Sequence, residues 1–260
     1  MTENAAITPP DMSREDELWS GLRRLTGARI GLPRSGASLS TGPLLAFRLA
    51  HARARDAVLE PLNEVRLSRD LAALGLSVLS VSSAAPDQQT YLMRPDLGRR
   101  LAADSGMTLS AQGGAYDVVF VVADGLSARA VQTHAAPVLS AAMPALRAAD
   151  WRIAPLVIVR HGRVAIGDAI AAALGAASVA VLVGERPGLS APDSMGAYLT
   201  WQPRAGTTDA DRNCISNIRP EGLDYHSAAL SLVRLLRAMR RRRLSGVALK
   251  DDSDRRLVEE

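Results

Sequence analysis

The second half of the chain alternates short apolar runs with Ala-rich stretches of helical length. The runs lie at residues 118–122, 153–159 and 179–183 and are rich in Val and Ile. Continuous apolar runs are typical of strands that are buried on both faces, as in a parallel sheet whose crossovers are helices. Right-handed crossovers would place the three strands side by side. The pattern therefore predicts an α/β fold.

The segments between these runs supply the predicted helices of a Rossmann-like parallel sheet flanked by helices. Residues 127–150 and 167–174 have helical length, and we expect Pro137 and Pro144 to divide the first of them. A further strand is predicted at 197–201. The chain then forms a helix over 227–243 whose leucines alternate with basic positions.

The first part of the chain has a different pattern, which predicts an N-terminal helical region. Residues 1–15 are polar and are predicted to be a disordered lead. Helical spacing of apolar residues follows within 16–85, first at Leu18 and Leu22 and again over 44–59. We therefore expect an α/β domain over 86–250 and a charged tail over 251–260.

The composition limits the environment of the protein. No stretch approaches the run of about 20 apolar residues that a membrane-spanning helix needs. The opening residues lack the apolar core of a secretory signal and the Arg-rich character of a transit peptide. Cys214 is the single cysteine, so an intrachain disulfide and a cysteine-based metal site are both excluded. These features predict a protein of the reducing cytoplasm.

The charge of the chain does not favour nucleic acid as a partner. The pI is about 9.8, but the net charge is only +4 and aromatic residues make up 3%. Aromatic side chains are therefore too sparse for base-stacking platforms. The basic run Arg240–Arg243 is interpreted as a solvated helix end favoured by the helix dipole, with docking to an acidic partner surface as the alternative.

The predicted strand ends carry the candidate chemistry, because ligands of open parallel sheets bind outside the carboxyl ends of the strands. Glycine-containing polar segments stand there at 124–127, 160–164 and 184–188. Glycine and proline are also ordinary turn residues, so each loop alone has both interpretations. No phosphate-binding P-loop and no dinucleotide-binding glycine motif is present between a strand and a helix.

Histidine offers no metal site in this sequence. The four histidines are scattered and are predicted to be surface or capping residues: His51, His134, His161 and His226. The segment 224–229 approaches the D-x-H-x-x-G motif that presents histidine to cobalt, but its last position is alanine. We interpret Asp224 as a helix cap. Cys214 lacks an identifiable basic partner and is interpreted as a half-buried small hydrophobe.

Five sequence blocks occur in the order YLMRPDLGRRL at 91–101, DGLS at 124–127, GRV at 162–164, LVGERPGL at 182–189 and CISNI at 214–218. Taken together, these blocks resemble the small subunit of ethanolamine ammonia-lyase. The likeness extends from about Leu18 to Gly246.

The resemblance implies a cofactor and a partner. Adenosylcobalamin is expected at the boundary with a large, barrel-shaped subunit that carries most of the residues for ethanolamine. Homolysis of its cobalt–carbon bond would give a radical that abstracts hydrogen from ethanolamine, leading to acetaldehyde and ammonia. The cobalamin contacts of the family fall on Val164, Glu185 and Cys214, and no catalytic residue or metal ligand is expected in this chain. A non-catalytic cobalamin-binding or scaffolding module is the alternative.

The same residues have a physical interpretation as parts of a cobalamin pocket. Such a pocket needs apolar surface and a few oriented polar groups. Glu185 is suited to accept hydrogen bonds from amide groups, and Val164 and Cys214 are suited to shape the pocket and contact the cofactor.

Some members of the family carry a longer N-terminal extension that addresses them to a bacterial microcompartment, which is the alternative location here.

Overall fold

The computed structural model describes residues 12–249. These residues form a small N-terminal unit, up to Arg53 with Gly188–Ser190, and a larger unit made of residues 54–187 and 191–249. The tail predicted at 251–260 lies outside the described residues, as do residues 1–11 of the predicted lead.

The small unit consists of helices and a short hairpin. Its elements are α1 (Met12–Arg23), β1 (Arg34–Ser35), β2 (Ser38–Leu39) and the first part of α2 (Thr41–Leu59). The guanidinium of Arg23 donates to the carbonyl of Ile30 at 3.0 Å and ties the end of α1 to the following turn. Gly31 has a φ of +54°, and a Cβ atom there would overlap the ring of Trp19. Glycine is therefore required at this turn.

The larger unit is built on a six-stranded sheet flanked by helices. Its helices are α3 (Glu64–Ala72), α4 (Gln88–Met93), α5 (Ala103–Ser110), α6 (Ala128–Arg147), α7 (Ile166–Leu174) and α8 (Tyr225–Arg242). Its strands are β3 (Val78–Ser82), β4 (Val119–Ala123), β5 (Leu156–Arg160), β6 (Ser178–Gly184), β7 (Met195–Trp201) and β8 (Arg212–Ile218). The spatial order is β3-β5-β4-β6-β7-β8. The predicted α/β class is confirmed.

Each face of the sheet has its own hydrophobic core. Alternate strand residues such as Phe120 and Ile158 pack against α3, α6 and α8. The residues between them, such as Val121 and Val159, pack against α5 and α7. The strands β4, β5 and β6 lie side by side and parallel as predicted, and they are buried on both faces, which explains their uninterrupted apolar sequences.

The sheet differs from the prediction at its edges. The strand β7 runs antiparallel to β6, and β8 runs antiparallel to β7, so the sheet is mixed rather than wholly parallel. The edge strands β3 and β8 were not predicted, because polar residues interrupt their apolar positions. The predicted division of the helix at Pro137 and Pro144 was wrong, since α6 runs through both prolines. Ten buried residues on α6 supply packing that compensates for the missing backbone hydrogen bonds.

The connections around β4 create a crevice at the carboxyl ends of the strands. The chain leaves β4, crosses one face of the sheet through α6 and enters β5 on one side of β4. It then crosses the opposite face through α7 and enters β6 on the other side. Neighbouring loops diverge at such a switch point, which is where open α/β sheets bind ligands.

No helix between residues 12 and 249 is long and apolar enough to span a membrane.

Candidate functional site at the carboxyl ends of the strands

The loops after β4 and β6 contact each other through two glycines. The amide of Leu126 donates to the carbonyl of Gly184 at 2.9 Å. Gly125 has a φ of +59°, and a Cβ atom there would lie 2.3 Å from that carbonyl oxygen. A Cβ atom on Gly184 would lie 2.1 Å from the carbonyl oxygen of Ser127. Side chains at either glycine would therefore push these loops apart.

The buried carboxylate of Asp124 connects the loop after β5 to the loop after β4. Asp124 accepts backbone hydrogen bonds from Gly125 and His161, both at 2.9 Å, and from Gly162 at 3.1 Å. Burial raises the pKa of Asp124, while these amides act in the opposite direction. Since all three bonds end on one side chain, Asp124 sets the relative positions of the loops after β4 and β5.

The segment from Tyr91 to Arg100 supports the loop after β5 from outside the sheet. The hydroxyl of the buried Tyr91 donates to the carbonyl of Gly162 at 3.2 Å, and the guanidinium of Arg163 lies over the Tyr91 ring at 4.6 Å. Gly98 accepts from the amide of Arg163 at 2.8 Å. A Cβ atom on Gly98 would lie 2.9 Å from the Tyr91 ring and 3.1 Å from Arg163 Cγ. The close packing of Tyr91 and Arg163 therefore requires glycine at position 98.

Two exposed ion pairs lie within this segment. Asp96 accepts from the Arg94 guanidinium at 2.9 and 2.8 Å and from Arg100 at 3.2 Å. The hydrogen bond from Arg94 is the main reason that the pKa of Asp96 is held at about 2. The carboxylate is therefore charged throughout the neutral range.

These loops enclose a cleft of about 510 Å³. The residues after β5 contribute Val164 and Ala165 to its wall, and the end of β6 contributes Glu185. Tyr198 on β7 lines the cleft from the antiparallel part of the sheet. The cleft thus combines apolar surface with charged groups, as small-molecule sites commonly do.

Glu185 is held against β7 by Ser194 and by the absence of a side chain at Gly196. The backbone amide of Glu185 donates to Ser194 O at 2.9 Å, and Ser194 Oγ donates to Glu185 Oε2 at 2.5 Å. A Cβ atom on Gly196 would lie 2.8 Å from Glu185 Oε1 and 3.1 Å from Tyr198 Cε2. The missing side chain therefore lets the carboxylate lie beside the Tyr198 ring.

Cys214 lies in β8 directly opposite Tyr198 of β7. Desolvation is the main cause that raises the pKa of the Cys214 thiol, and the nearby Glu185 carboxylate raises it further. A hydrogen bond with Tyr198 opposes this shift, and the pKa of Tyr198 itself is raised by burial. Both groups are therefore protonated at neutral pH. Cys214 is exposed at the edge of the sheet and not half-buried as predicted, and its protonated thiol is suited to contact and not to nucleophilic attack.

The sequence comparisons identify the family of the chain. Residues 16–250 match the family model described as Ethanolamine ammonia-lyase light chain (EutC). A protein of Ralstonia nicotianae named ethanolamine ammonia-lyase small subunit is 50% identical over 100% of this chain and 97% of its own length. The chain belongs to the ethanolamine ammonia-lyase light-chain family.

Other relatives in this family have the same name and a similar degree of identity. The small subunit of Azotobacter vinelandii is 54% identical over 91% of this chain and 89% of its own length. That of Pseudomonas aeruginosa strain UCBPP-PA14 is 50% identical over 96% of this chain and 93% of its own length. The resemblance inferred from the five sequence blocks is therefore confirmed.

The structure brings together the three residues that resemblance to the light-chain family selected. Val164 and Glu185 line one cleft, and Cys214 contacts Tyr198 at its side. Cys214 lies within β8, which pairs with β7 at the edge of the sheet. That these residues contact cobalamin stays a prediction.

Sequence reasoning missed Tyr198 and Arg99, which line the cleft of this light-chain family member. Tyr198 falls within a predicted strand, where a residue's direction depends on register. Arg99 belongs to the block 91–101, which was recognised as part of the family resemblance, but its position in the cleft was not predicted.

Two expectations about single residues have opposite outcomes. Asp224 caps α8 as predicted, since its carboxylate accepts from the amides of His226 and Ser227, both at 3.0 Å. The surface or capping role predicted for His134 was wrong. Its side chain is 1% exposed within α6, and Nδ1 lies 2.9 Å from the Tyr225 hydroxyl. Histidine periodicity alone could not reveal this partner, which is 91 residues away.

Proposed function

We propose that the chain is the small subunit of an ethanolamine ammonia-lyase and that its cleft holds one side of adenosylcobalamin against a large subunit. The observation that carries the proposal is the position of Val164 and Glu185 on one cleft at the carboxyl ends of the strands. The name of the relatives, small subunit, implies a larger partner.

The residues of the cleft fit a corrinoid. Cobalamin has a broad apolar ring edged with amide groups, so it needs apolar contact and polar groups that accept and donate. Val164 and the Tyr198 ring supply apolar surface, and Glu185 supplies an acceptor. Clefts of roughly 300 to 1,000 Å³ accommodate drug-sized ligands. A cleft of about 510 Å³ is therefore suited to one side of a larger cofactor, with the rest covered by the partner.

The residues of this chain would bind and orient the cofactor. Glu185 would accept amide hydrogen bonds with its Oε1, because Oε2 is already engaged by Ser194. This preset carboxylate orientation lowers the entropic cost of binding. Tyr198 would present its ring, and Cys214 would lie directly opposite Tyr198 on the next strand. Exclusion of water from the reacting centre would follow from closure between the two subunits.

The radical chemistry would belong to the cofactor. When bound, adenosylcobalamin supplies the radical that takes a hydrogen atom from the substrate. The charged residues in the cleft wall do not include a histidine, and the Cys214 and Tyr198 protons are held by raised pKa values. By resemblance to the family, the substrate-binding groups would lie on the large subunit.

The proposal is tested by reconstitution. The chain is co-expressed with a large subunit of the family, and acetaldehyde and ammonia are measured with ethanolamine, with and without adenosylcobalamin. Cobalamin binding is followed separately by its visible absorption. We expect product only when both subunits and the cofactor are present. Equal turnover by the chain alone would contradict the proposal, and cofactor binding without product would favour a non-catalytic cobalamin-binding or scaffolding module.

A further inference from the structure

Three arginines line the cleft that contains Val164 and Glu185. Arg99 ends the 3-10 helix Leu97–Arg99, Arg163 follows β5 and Arg186 follows β6. They come from three separate segments of the chain. Between residues 12 and 249, none of their guanidinium groups lies within 4.0 Å of a carboxylate oxygen.

The two carboxylates of the cleft wall have other partners. Glu185 accepts the short hydrogen bond from Ser194, and Asp209 lies 3.6 Å from the guanidinium of the buried Arg212. The three arginines of the cleft therefore carry positive charge that no neighbouring carboxylate pairs with directly. A cleft with an excess of positive charge attracts an anionic group.

Arg163 is held in place before any ligand binds. Its guanidinium stacks 4.6 Å from the centre of the Tyr91 ring, and its Nη2 donates to the Tyr91 carbonyl at 3.3 Å. Its Nε is buried and has no hydrogen-bond partner among the described residues. An arginine fixed by stacking loses little side-chain freedom when it binds an anion, so its position favours recognition.

We propose that Arg99, Arg163 and Arg186 form an anion subsite that receives the phosphodiester of the cofactor's nucleotide loop. The inference rests on the proposed function, which supplies the ligand class. The amide side chains around the corrin are neutral, whereas the phosphodiester carries a negative charge. The planar guanidinium fork matches two oxygens of a phosphate group.

The experiment compares two corrinoids on the complex with the large subunit. Cyanocobalamin contains the phosphodiester and its base, and cyanocobinamide lacks both. Dissociation constants are measured by absorption for wild type and for Arg99→Met, Arg163→Met and Arg186→Met. We expect each substitution to weaken cyanocobalamin binding about tenfold and to leave cyanocobinamide binding unchanged, because only the first ligand offers the charged acceptor.

A matched control is Arg100→Met. Arg100 is adjacent to Arg99 but pairs with Asp96 at 3.2 Å and does not line the cleft. Its substitution should change neither dissociation constant. Arg99 and Arg186 are exposed, so their substitution leaves the core intact even if Arg163→Met perturbs the loop.

A second measurement distinguishes binding of the phosphodiester from binding of the base. Inorganic phosphate at constant ionic strength should compete with cyanocobalamin, and Arg186→Met should weaken that competition. Equal losses for both corrinoids, or no loss for either, would overturn the subsite while leaving the proposed function standing. Failure of phosphate to compete would also overturn it. Failure of the wild-type complex to bind either corrinoid would contradict the proposed function and the subsite together.

Discussion

Arg212 at the start of β8 forms a two-pronged ion pair with Asp168 on α7, with both nitrogen–oxygen distances at 2.7 Å. The Arg212 side chain is 2% exposed and Asp168 is 14% exposed. Arg212 also donates to Thr200 Oγ1 at 2.9 Å. This pair connects the antiparallel edge of the sheet to the helix that follows Val164.

Removal of one partner of this pair should destabilise the chain strongly. Arg212→Met leaves the largely covered Asp168 carboxylate unpaired, which costs up to about 3 to 5 kcal/mol of unfolding free energy. Asp168→Leu combined with Arg212→Met should recover most of this loss, because no uncompensated charge remains. Urea unfolding of the two variants and wild type measures both effects. A double variant no more stable than Arg212→Met alone would contradict the explanation.

The contact between the loops after β4 and β6 should tolerate no side chain at Gly184. Gly184→Ala places a Cβ atom 2.1 Å from Ser127 O, so we expect a loss of about 2 to 3 kcal/mol and weaker cobalamin binding. Gly106→Ala on α5 is the control, since nothing lies within 4 Å of its added Cβ atom. Thermal unfolding should separate the two variants, and equal melting temperatures would refute the role of this contact.

His134 should make the stability of the chain depend on pH. Burial is the main cause that lowers the pKa of His134, and the positive charge of Arg219 adds to the lowering. The charges of Asp193, which lies 3.8 Å from Nε2, and of Glu221 act in the opposite direction. The Tyr225 hydroxyl faces Nδ1. Because the unfolded chain binds the proton more readily, stability should fall as pH drops below about 6.5 and level off below the folded-state pKa.

The comparison of His134→Gln with wild type tests this dependence. Urea unfolding at pH 8 and pH 5.5 should show a smaller difference in the variant, since glutamine does not titrate. His51→Gln is the control, because His51 is exposed. The interpretation fails if wild type and His134→Gln lose the same stability on acidification.

Glu185 should contribute to cofactor affinity through its carboxylate. Glu185→Ala in the two-subunit complex should weaken cobalamin binding by about 1 to 3 kcal/mol, because a buried amide donor would lose a charged acceptor. Glu221→Ala is a suitable control, since that side chain is 73% exposed and does not line the cleft. Absorption titrations measure the change. Unaltered affinity in Glu185→Ala would remove this residue from the site.

The strands of the sheet differ in how visible they are in the sequence. The strands β4, β5 and β6 were predicted, because strands covered on both faces consist of uninterrupted apolar residues. The edge strands β3 and β8 alternate polar and apolar residues over short lengths, which local pattern does not separate from loops. The strand that contains Cys214 was therefore not predicted.

The sequence by itself determined the α/β class, the family and the glycine-containing strand ends, since these depend on local patterns and ordered motifs. Only the tertiary structure decided that Tyr198 lies beside Glu185 and opposite Cys214, and that Arg99 shares a cleft with Arg186. Such pairs join residues far apart in the chain. Their proximity arises from sheet order, register and the face on which each crossover packs, and local patterns contain none of these.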